Sequence, residues 1–503
     1  MENFINALSG IIWSPLLIYL CLGAGIYFSI RTRFLQLRHI KNMVKYLFHG
    51  TESSQGVSSF QAFALSVAGR VGTGNIAGVA TAIAMGGPGA LFWMWAIAFL
   101  GAGTSFIECS LAQVYKEEIN GEYRGGPAYY IEKAMGQKWY AIMFAVASII
   151  GLGLFAGGVQ SNSIAAAVNN SFGVAPAVTG IVVVILLALV IFGGTKRIGK
   201  IAEIVVPFMA LSYMLVALIV IAVNFAEIPK MFSLIIRNAF GADQAFAGIL
   251  GLAVQWGVKR GIYSNEAGMG SGPQSAAAAE VSHPAIQGLV QAFSVYVDTL
   301  LVCSATGFMI LITNQYNVLK PAGGFIVSHI PTIEMGPGYT QGAVSTVMGG
   351  FGSAFVAIAL FFFAFTSLMA FYYISETNVT YLFRNSKNSK VMINLLRVGI
   401  LVSTFYGSVK TAAVAWALGD IAVGIMAWLN VIAIIILGNI GIKVLKDYEA
   451  QLKMGRNMHT FTFEPKKLGI KNADLWYVIN DRRAKAAKEK ETTVQLNNKD
   501  ISE

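Results

Sequence analysis

Long apolar segments separated by short polar stretches dominate the pattern of this 503-residue chain. Between Trp139 and Thr195 there is no Asp, Glu, Lys or Arg, and such a run is long enough for two membrane crossings of about 20 residues each. Similar charge-free runs cover 204–226, 299–319 and 335–375. The strict alternation that marks the strands of a membrane barrel does not accompany them. The pattern therefore predicts an all-α polytopic membrane protein.

About eleven transmembrane helices are predicted from the apolar runs and the basic segments between them. The last run is long enough for two short pieces, but a single crossing puts the basic C-terminal tail on the same side as the other basic loops. The predicted spans are 11–30, 60–85, 88–114, 139–170, 174–194, 201–224, 246–265, 286–313, 341–382, 391–408 and 411–446.

The basic residues between the spans predict the orientation. The stretch MENFINALSG has no Lys or Arg and is a poor signal peptide. Because the first basic cluster follows the first span, we expect the N-terminus outside and the C-terminus in the cytoplasm, in a multi-pass protein of the cell membrane. The loops expected inside contain Arg31, Arg33 and Lys41; Lys116, Arg124 and Lys133; Lys196, Arg197 and Lys200; Lys259 and Arg260; and Arg384, Lys387 and Lys390.

Composition supports the membrane interpretation, since 55% of residues are hydrophobic and only 12% are charged, against about 25% charged in soluble proteins. The net charge of +11 is explained by basic loops and a basic tail, so no nucleic-acid partner is expected. Cys21, Cys109 and Cys303 lie in apolar stretches and are interpreted as small buried hydrophobic residues. The tail is expected to be a solvated extension, with binding to anionic lipid as the alternative.

A weak internal similarity suggests a repeat. RVGTGNIAG at 70–78 and RGIYSNEAG at 260–268 share Arg, Asn, Ala and Gly in the same register. Each opens a set of five predicted spans, and the two sets start in opposite directions, as in the inverted repeats of secondary transporters. Chance matching of small residues is the alternative. The predicted organisation is an N-terminal extra helix and loop (1–50), a first five-helix repeat (51–230), a second five-helix repeat (231–446) and a cytoplasmic tail (447–503).

Two glycine-containing motifs resemble nucleotide-binding sites. VAGRVGTGNIAGVA at 67–80 contains the dinucleotide fingerprint G-x-G-x-x-[GA], but it lies inside an apolar span and has no acidic residue about 20 positions further on. GTKRIGKI at 194–201 follows the P-loop pattern, but Ile201 stands where Ser or Thr would hold magnesium. We therefore predict neither a nucleotide cofactor nor catalytic residues.

The same glycines predict an interrupted transmembrane helix, since each costs about 1 kcal/mol relative to alanine in a helix interior. An interruption offers free N–H groups that suit a carboxylate and free C=O groups that suit a small cation. Thr73 and Asn75 add hydrogen-bonding side chains at this point. Close helix packing through small residues is the alternative. The glycines concerned are Gly69, Gly72, Gly74 and Gly78.

The segment GGPGALFWMWAIAFLG at 86–101 resembles the signature of the alanine or glycine:cation symporter family, the sodium:alanine symporters. GTGNIAGVATAIAMGGPGA at 72–90 and GVKRGIYSNEAGMGSGP at 257–273 are also similar to that family. The resemblance covers roughly 10–450. It implies a LeuT-like fold of the amino acid-polyamine-cation superfamily, with ten core helices in two inverted repeats and 11–30 as the extra helix.

This resemblance implies symport of Na⁺ with a small neutral amino acid, namely alanine, glycine or, for some members, glutamine. Na⁺ is then the coupling ion and no cofactor is needed. By motif match, Thr73, Gly74 and Asn75 are expected to line the carboxylate end of the substrate site. The wider fold implies a sodium site made by Ala68, Val71, Phe363, Thr366 and Ser367, where hydroxyls that only join helices are the alternative.

Further residues are expected near the site. Gln255, Trp256 and Gly257 are placed near the second helix break, where Gln255 would bond substrate and Trp256 would wall off its side chain; a packing or interfacial Trp is the alternative. Ser264, Asn265 and Glu266 are expected at the inner end of that span. They would cap the helix or shape an inner gate.

Carboxylates within the spans are candidates as well. Asp298 lies deep in a span, and we expect it to neutralise a cation near Asn75 or to pair with Arg70. Glu108, Glu203 and Asp420 are expected near helix ends or breaks, in contact with water. The five histidines fall in loops or near helix ends, so no histidine proton relay is predicted.

Three competing functions follow from other chemistry. An H⁺-coupled symporter of the same fold would use Asp298 or Glu203 as the titrating group. A channel needs rings of carbonyls or charges along a pore, and a membrane-embedded enzyme needs a catalytic constellation inside its spans; neither pattern is visible in the sequence. The amino acid, its stereochemistry, the ion stoichiometry and the oligomeric state, a monomer included, stay open.

Overall fold

The computed structural model describes residues 2–48, 56–242, 246 and 248–485. This part of the chain is predominantly helical. The helices are α1 (Glu2–Ile12), α2 (Pro15–Arg31), α3 (Leu35–Arg38), α4 (Ile40–Leu47), α5 (Ser59–Arg70), α6 (Val79–Gly86), α7 (Ala90–Val114), α8 (Pro127–Met135), α9 (Lys138–Ser148), α10 (Gly157–Phe172), α11 (Pro176–Ile191), α12 (Thr195–Val223), α13 (Ile228–Ala239), α14 (Leu250–Asn265), α15 (Gly272–Ala278), α16 (Pro284–Tyr296), α17 (Ser304–Ile312), α18 (Pro337–Met348), α19 (Gly350–Phe383), α20 (Ser389–Val409) and α21 (Ala412–Lys453).

Smaller elements complete the description. Three π-helical stretches cover Gly74–Gly78, Ile149–Ala156 and Val297–Cys303, and each continues directly into an α-helix. Short 3₁₀ turns cover Phe225–Glu227 and Pro465–Leu468, and residues 475–485 are helical. Two antiparallel hairpins pair β1 (Glu117–Ile119) with β2 (Glu122–Arg124) and β3 (Asn317–Leu319) with β4 (Phe325–Ser328).

Eight helical stretches among the described residues are long and apolar enough to cross a membrane. They are Ala7–Arg31, Ala90–Val114, Lys138–Phe172, Arg197–Val223, Pro284–Ile312, Gly350–Phe383, Ser389–Val409 and Ala412–Lys453. Two shorter apolar helical stretches cover Gly74–Gly86 and Pro176–Ile191. This architecture agrees with the prediction of an all-α polytopic membrane protein.

Most predicted spans match helices to within a few residues, but two differ in a way that has a clear structural reason. The span predicted at 341–382 consists of two helices, because Gly349 adopts a left-handed φ of 58° that ends α18 before α19 begins. The span predicted at 411–446 continues as α21 to Lys453. Tyr448 and Gln451 stay buried there against the rest of the protein, so the helix extends beyond its apolar run.

The two helix pairs α5–α6 and α14–α15 lie side by side and run antiparallel. At one end, the Val57 N–H donates to the Ala278 carbonyl (3.0 Å) and the Glu280 N–H donates to the Val57 carbonyl (3.1 Å). At the other end α6 packs on α14, and a Cβ placed on Gly86 would lie 3.0 Å from the Leu252 carbonyl oxygen. The start of α5 therefore meets the end of α15.

Helix α7 is central and packs against α2, α14 and α16. Its contact with α14 depends on small residues, since a Cβ on Gly257 would lie 2.5 Å from the Ala90 carbonyl oxygen. Small residues of this kind let membrane helices approach closely. The outer helices instead expose large apolar side chains, such as Leu189 (60%), Leu211 (71%) and Val402 (63%), which suits a surface facing lipid.

The C-terminal segment 456–485, called the tail below, packs on the protein. The Trp476 indole is buried against Phe463, with ring centroids 5.0 Å apart, and its Nε1 donates to the Gln113 carbonyl at the end of α7 (2.9 Å). Arg482 forms an ion pair with Glu118 (2.7 Å). The expectation of a freely solvated extension is therefore wrong for this segment, whereas binding of its exposed face to anionic lipid stays a prediction; 486–503 and the predicted boundary at 50/51 lie outside the described residues.

The face covered by the tail also buries a lysine. Lys116 Nζ donates to the Ala279 carbonyl (2.9 Å) and lies 4.2 Å from the Tyr123 ring centroid and 5.3 Å from that of Trp476. Burial lowers the pKa of Lys116 to about 7, although the nearby Glu280 carboxylate opposes this shift. The tail therefore closes a site where the Lys116 amino group lies beside two aromatic rings and a backbone carbonyl.

We expect Trp476→Ala to detach the tail. Loss of a buried Trp costs about 3–5 kcal/mol when the surroundings cannot collapse, so the melting temperature in detergent should fall by several degrees. Tyr477→Ala is the matched control, because Tyr477 is 44% exposed. The melting temperature of this variant should lie within a degree or two of that of the parent. Equal melting temperatures for the two variants would contradict the described packing.

The lowered pKa of Lys116 predicts a pH-dependent stability. Between about pH 7 and about pH 10 the unfolded lysine carries a proton that the folded one lacks, so the free energy of unfolding should rise with pH. Melting temperatures of the parent and of Lys116→Met, measured from pH 6.5 to 10, should diverge in favour of the parent as pH rises. Parallel curves would show that Lys116 keeps its ordinary pKa.

Candidate functional site

The first helix interruption lies where the glycine cluster predicted it. Helix α5 ends at Arg70, Val71 leaves helical geometry with ψ 87°, and the π-helical stretch starts at Gly74. The side chains of Asn75 and Gln160 accept the freed backbone N–H groups of Gly72 (2.9 Å) and Thr73 (3.0 Å), respectively. The buried Thr73 hydroxyl has no hydrogen-bond partner among the described residues.

Glycine is required at this interruption by close approach. A Cβ on Gly72 would collide with Ser367 Oγ and would lie 3.0 Å from Gln160 Oε1. A Cβ on Gly74 would lie 3.1 Å from the Cα of Ser264, in α14. Three helices thus converge on a few residues of the first interruption.

The second interruption follows α14 at Glu266, which adopts a left-handed φ of 56°. Gly268 and Gly270 have φ of 82° and 86°, a region that side chains rarely tolerate. Asn265 Oδ1 accepts the Ala267 N–H (3.0 Å), and Ser271 Oγ donates to Glu266 Oε2 (2.7 Å). Asn265 and Glu266 therefore end this helix, as the capping interpretation predicted.

A buried carboxylate supports the second interruption. Glu108 Oε1, on α7, accepts the Gly268 N–H (3.1 Å). Asn430 Nδ2 donates to Glu108 Oε2 (2.7 Å) and to the Gly268 carbonyl (2.9 Å). Glu108 is fully buried, so the expectation that it meets water is wrong. Its carboxylate binds the freed backbone of the second interruption instead, because backbone groups inside a membrane need partners.

The two interruptions meet at Asp298, in the π-helical stretch before α17. Asn75 Nδ2 donates to Asp298 Oδ1 (2.7 Å), as does Ser264 Oγ (3.1 Å). Thr299 Oγ1 donates to Asp298 Oδ2 (2.7 Å). We call Asn75, Ser264 and Asp298 the junction; Cys303, whose Sγ lies 3.3 Å from Asn75 Nδ2, borders it.

Asp298 was predicted to neutralise a cation near Asn75 or to pair with Arg70, and the structure places it in hydrogen-bond contact with Asn75 itself. Among the described contacts Arg70 donates elsewhere, to the Gln291 carbonyl (3.0 Å), to Ser105 Oγ (3.3 Å) and to Ser294 Oγ. The predicted pairing of Asp298 with Arg70 is therefore replaced by hydrogen bonds that anchor the end of α5.

Four residues of the predicted cation site come together. Ser367 Oγ donates to the carbonyls of Ala68 (3.0 Å) and Phe363 (3.1 Å), and Thr366 Oγ1 donates to the same Phe363 carbonyl (2.9 Å). Val71 caps α5 one turn later, with its N–H bonded to Val67. Clustered carbonyl and hydroxyl oxygens are the ligands that hard cations prefer, so this oxygen set fits a small cation once each hydroxyl proton turns away.

Gln255, Trp256 and Gly257 are not at the second interruption. They lie within α14, whereas the chain breaks only at Glu266 because the left-handed positions start there. Gly257 packs on α7, Gln255 Nε2 reaches the Trp13 carbonyl (3.4 Å), and Trp256 covers Lys259, 4.8 Å from its ring centroid. Their predicted location near the second interruption is therefore wrong.

Lys259 and Arg260 form a buried charge cluster instead of a basic loop. Arg260 donates to both oxygens of Asp420 (2.7 and 3.2 Å), and Lys259 Nζ lies 2.7 Å from Asp420 Oδ2. All three are nearly inaccessible. The expectation that Asp420 meets water is wrong, and so is the inner-loop placement of the two cations, because their charges neutralise Asp420 within the helix bundle.

Glu203 differs from the other predicted carboxylates. Its Oε2 accepts Gln61 Nε2 (3.0 Å), and Gln61 also completes the capping box at the start of α5. Glu203 thus supports the beginning of the interrupted helix and does not reach the junction.

Gln160 is a site residue that the sequence analysis missed. It lies in α10, where Gln160, Ser161, Asn162 and Ser163 form a polar run inside a largely apolar span. Polar residues at membrane depth are usually functional or paired, so this run was an available signal. Asn430, whose partner Glu108 is 322 positions away, gave no comparable local signal.

Comparison with known proteins assigns the chain a family. The model of the sodium:alanine symporter family matches residues 1–462. The putative sodium/proton-dependent alanine carrier protein YrbD of Bacillus subtilis is 58% identical over 95% of this chain and 98% of its own length. The probable sodium/glutamine symporter GlnT of the same organism is 44% identical (91% and 92% covered), and the sodium/alanine symporter AgcS of Methanococcus maripaludis is 37% identical (89% and 97% covered).

We expect Gln160→Leu to destabilise the first interruption, because the Thr73 N–H would lose its acceptor without a replacement. A buried unsatisfied N–H costs about 1–3 kcal/mol, which should lower the melting temperature in detergent by a few degrees. Gln137→Leu is the control, since the exposed Gln137 only accepts Trp139 Nε1 at the surface. An unchanged melting temperature for Gln160→Leu would show that water replaces the amide.

Proposed function

The chain belongs to the sodium:alanine symporter family, and we propose that it carries alanine and Na⁺ together through the junction of its two interrupted helices. It is a transporter and not an enzyme, embedded in the cell membrane, and Na⁺ is its coupling ion and not a bound cofactor. The observation that carries the placement of the site is the convergence of both interruptions on Asp298.

The substrate carboxylate is assigned to the first interruption. The positive end of a helix begins at Gly74, and N–H groups at such an end favour anions. Thr73 supplies a buried hydroxyl without a partner among the described residues, which can donate to a carboxylate. Asn75 and Gln160 hold the backbone around it. Thr73, Gly74 and Asn75 thus remain our proposed substrate residues.

The sodium ion is assigned to the oxygen set beside that interruption. Ala68 and Phe363 supply carbonyls, and Thr366 and Ser367 supply hydroxyls. Val71 completes the proposed set from the last turn of α5. The ion and the substrate would then bind to the two ends of one broken helix, as in other transporters with discontinuous helices.

Asp298 is the candidate group for coupling to a second ion, H⁺. It is a buried carboxylate that joins both interruptions, and a relative with 58% identity is named as sodium/proton-dependent. We therefore keep H⁺ coupling at Asp298 as the second candidate mechanism. Glu203 is less suited to this role, because it bonds Gln61 at the far end of α5.

The proposed architecture is an inverted repeat of two five-helix units with an N-terminal extra helix, giving eleven crossings. The antiparallel arrangement of α5–α6 and α14–α15 supports it. The local similarity of 70–78 and 260–268 does not, because the first break lies near the start of its segment and the second near the end. We propose an external N-terminus and a cytoplasmic tail, since the tail face carries Lys133, Arg384 and Arg482.

Uptake into proteoliposomes tests this function. With an inward Na⁺ gradient, labelled alanine should accumulate, and replacement of Na⁺ by choline should abolish accumulation; an inside-negative potential should increase it, because each 100 mV contributes about 2.3 kcal/mol per charge. Glycine and glutamine, run in parallel, measure the substrate range. Accumulation driven by a pH gradient alone would indicate H⁺ coupling, for which Asp298 is the proposed group.

We expect Ser367→Ala to weaken Na⁺ activation specifically. Loss of one oxygen ligand should raise the Na⁺ concentration for half-maximal uptake at least about tenfold, or about 1.4 kcal/mol, and Thr366→Ala should act in the same direction. Thr313→Ala is the matched control, because its hydroxyl also donates to a carbonyl of its own helix, Met309, but at the far end of α17. Unchanged Na⁺ activation in both site variants would overturn the sodium assignment.

A further inference from the structure

A cavity of about 780 Å³ lies on the face opposite to the tail. Its walls come from α6, α14 and α21, and the segment around the β3–β4 hairpin covers it, with exposed residues such as Met335 at the rim. Because α6 leads away from the first interruption and from the tail face, this cavity, called the vestibule below, faces the outside in the orientation proposed above. Its volume falls in the range of small-molecule sites, about 300–1,000 Å³.

The inner wall of the vestibule carries two cations for one carboxylate. Lys259, Arg260 and Asp420 all border it, and Asp420 accepts hydrogen bonds or an ion pair from both basic residues. One positive charge is therefore in excess at this wall. Glu334, the other charged residue that lines the cavity, lies on the exposed rim.

Aromatic rings hold the excess charge in place. Lys259 Nζ lies 4.8 Å from the Trp256 ring centroid and 5.6 Å from that of Trp13. Among the described residues its ion-pair contact is with Asp420 Oδ2 (2.7 Å), and an ammonium group has three donors. Lys259 thus lies in the wall of the cavity, nearly buried between two indole faces.

The vestibule is separated from the first interruption by two side chains. Arg260 and Trp416 line the vestibule, and a Cβ placed on Gly78 would lie 3.9 Å from Arg260 Cδ and 3.7 Å from Trp416 Cη2. The Arg260 guanidinium stacks 4.4 Å from the Trp416 ring centroid and is fixed by Asp420. These two side chains form a septum between the vestibule and Gly78.

We infer that the vestibule is an entry site for the amino-acid substrate, where Lys259 binds the incoming carboxylate while Arg260 and Asp420 keep the septum closed. The inference rests on the proposed transport function and adds a second binding step before the junction. Because the vestibule is wide, it should recognise the carboxylate and not the side chain. Selection among amino acids would then remain with the junction.

Lys259→Gln tests this site, because the amide keeps most of the side chain's length and leaves the Arg260–Asp420 pair in place. In Na⁺-driven uptake we expect the KM for alanine to rise at least fivefold with the maximal rate within about twofold of the parent. Lys259→Arg should restore the KM. Lys410→Gln is the control for general charge attraction, since Lys410 is exposed and directly precedes α21; it should leave the KM unchanged.

A binding measurement separates this inference from the transport proposal. In choline buffer, with Ser367→Ala as background, tryptophan fluorescence should respond to alanine and to propionate but not to alaninamide, which lacks the carboxylate. The response should disappear in Lys259→Gln and return in Lys259→Arg. This readout needs no transport, so a failed uptake assay would leave it informative.

Several results would overturn the entry site. One is an equal KM in the parent and Lys259→Gln, and another is an equal rise in Lys410→Gln, which would indicate unspecific attraction. A fluorescence response to alaninamide equal to that for alanine would exclude carboxylate recognition. If Lys259→Gln fails to fold, the comparison of alanine, propionate and alaninamide in choline buffer on the Ser367→Ala background decides the question.

Discussion

Backbone groups released at two helix interruptions must find partners inside the membrane, and much of the buried polar structure follows from that constraint. In the hydrocarbon region no water is available to bond a free N–H or C=O group. Gln160 and Asn75 serve the first interruption, and Glu108 and Asn430 serve the second. These side chains come from four different helical elements, so each interruption is stable only in the assembled bundle.

Buried charged side chains also find their partners inside the protein. Asp420 is bonded by Arg260 and Lys259, and the indole N–H of Trp13 bonds the Asp420 carbonyl (2.8 Å). Removing Asp420 would leave two uncompensated buried cations, which is far more costly than replacing the whole cluster. The cluster lies between the vestibule and Gly78, so it also lies on the proposed substrate path.

The sequence predicted the helical segments and the first interruption well, because both leave local signals: long charge-free runs, and four glycines beside Thr73 and Asn75. The second interruption was misplaced by about two and a half helical turns, because the break depends on left-handed backbone at Glu266 and Gly268, nine residues or more beyond Gly257. Lys259 and Arg260 look like part of a basic loop in the sequence, because their partner Asp420 lies 160 positions beyond Arg260. Pairings between distant segments have no signature in a single sequence, and the packed tail was missed for the same reason.

The proposed cation and carboxylate sites share one short stretch of chain, and this has a consequence for coupling. Ala68 accepts Ser367 at the end of α5, and Gly72 is pressed against both Ser367 and Gln160. A cation that displaces the Ser367 hydroxyl from the Ala68 carbonyl must therefore shift atoms that also position Thr73. Binding of either ligand then changes the affinity for the other by the same factor, because coupling between two sites is reciprocal. Symport at this interruption requires no separate relay, since only Val71 and Gly72 lie between the last helical residue of α5 and the proposed carboxylate donor.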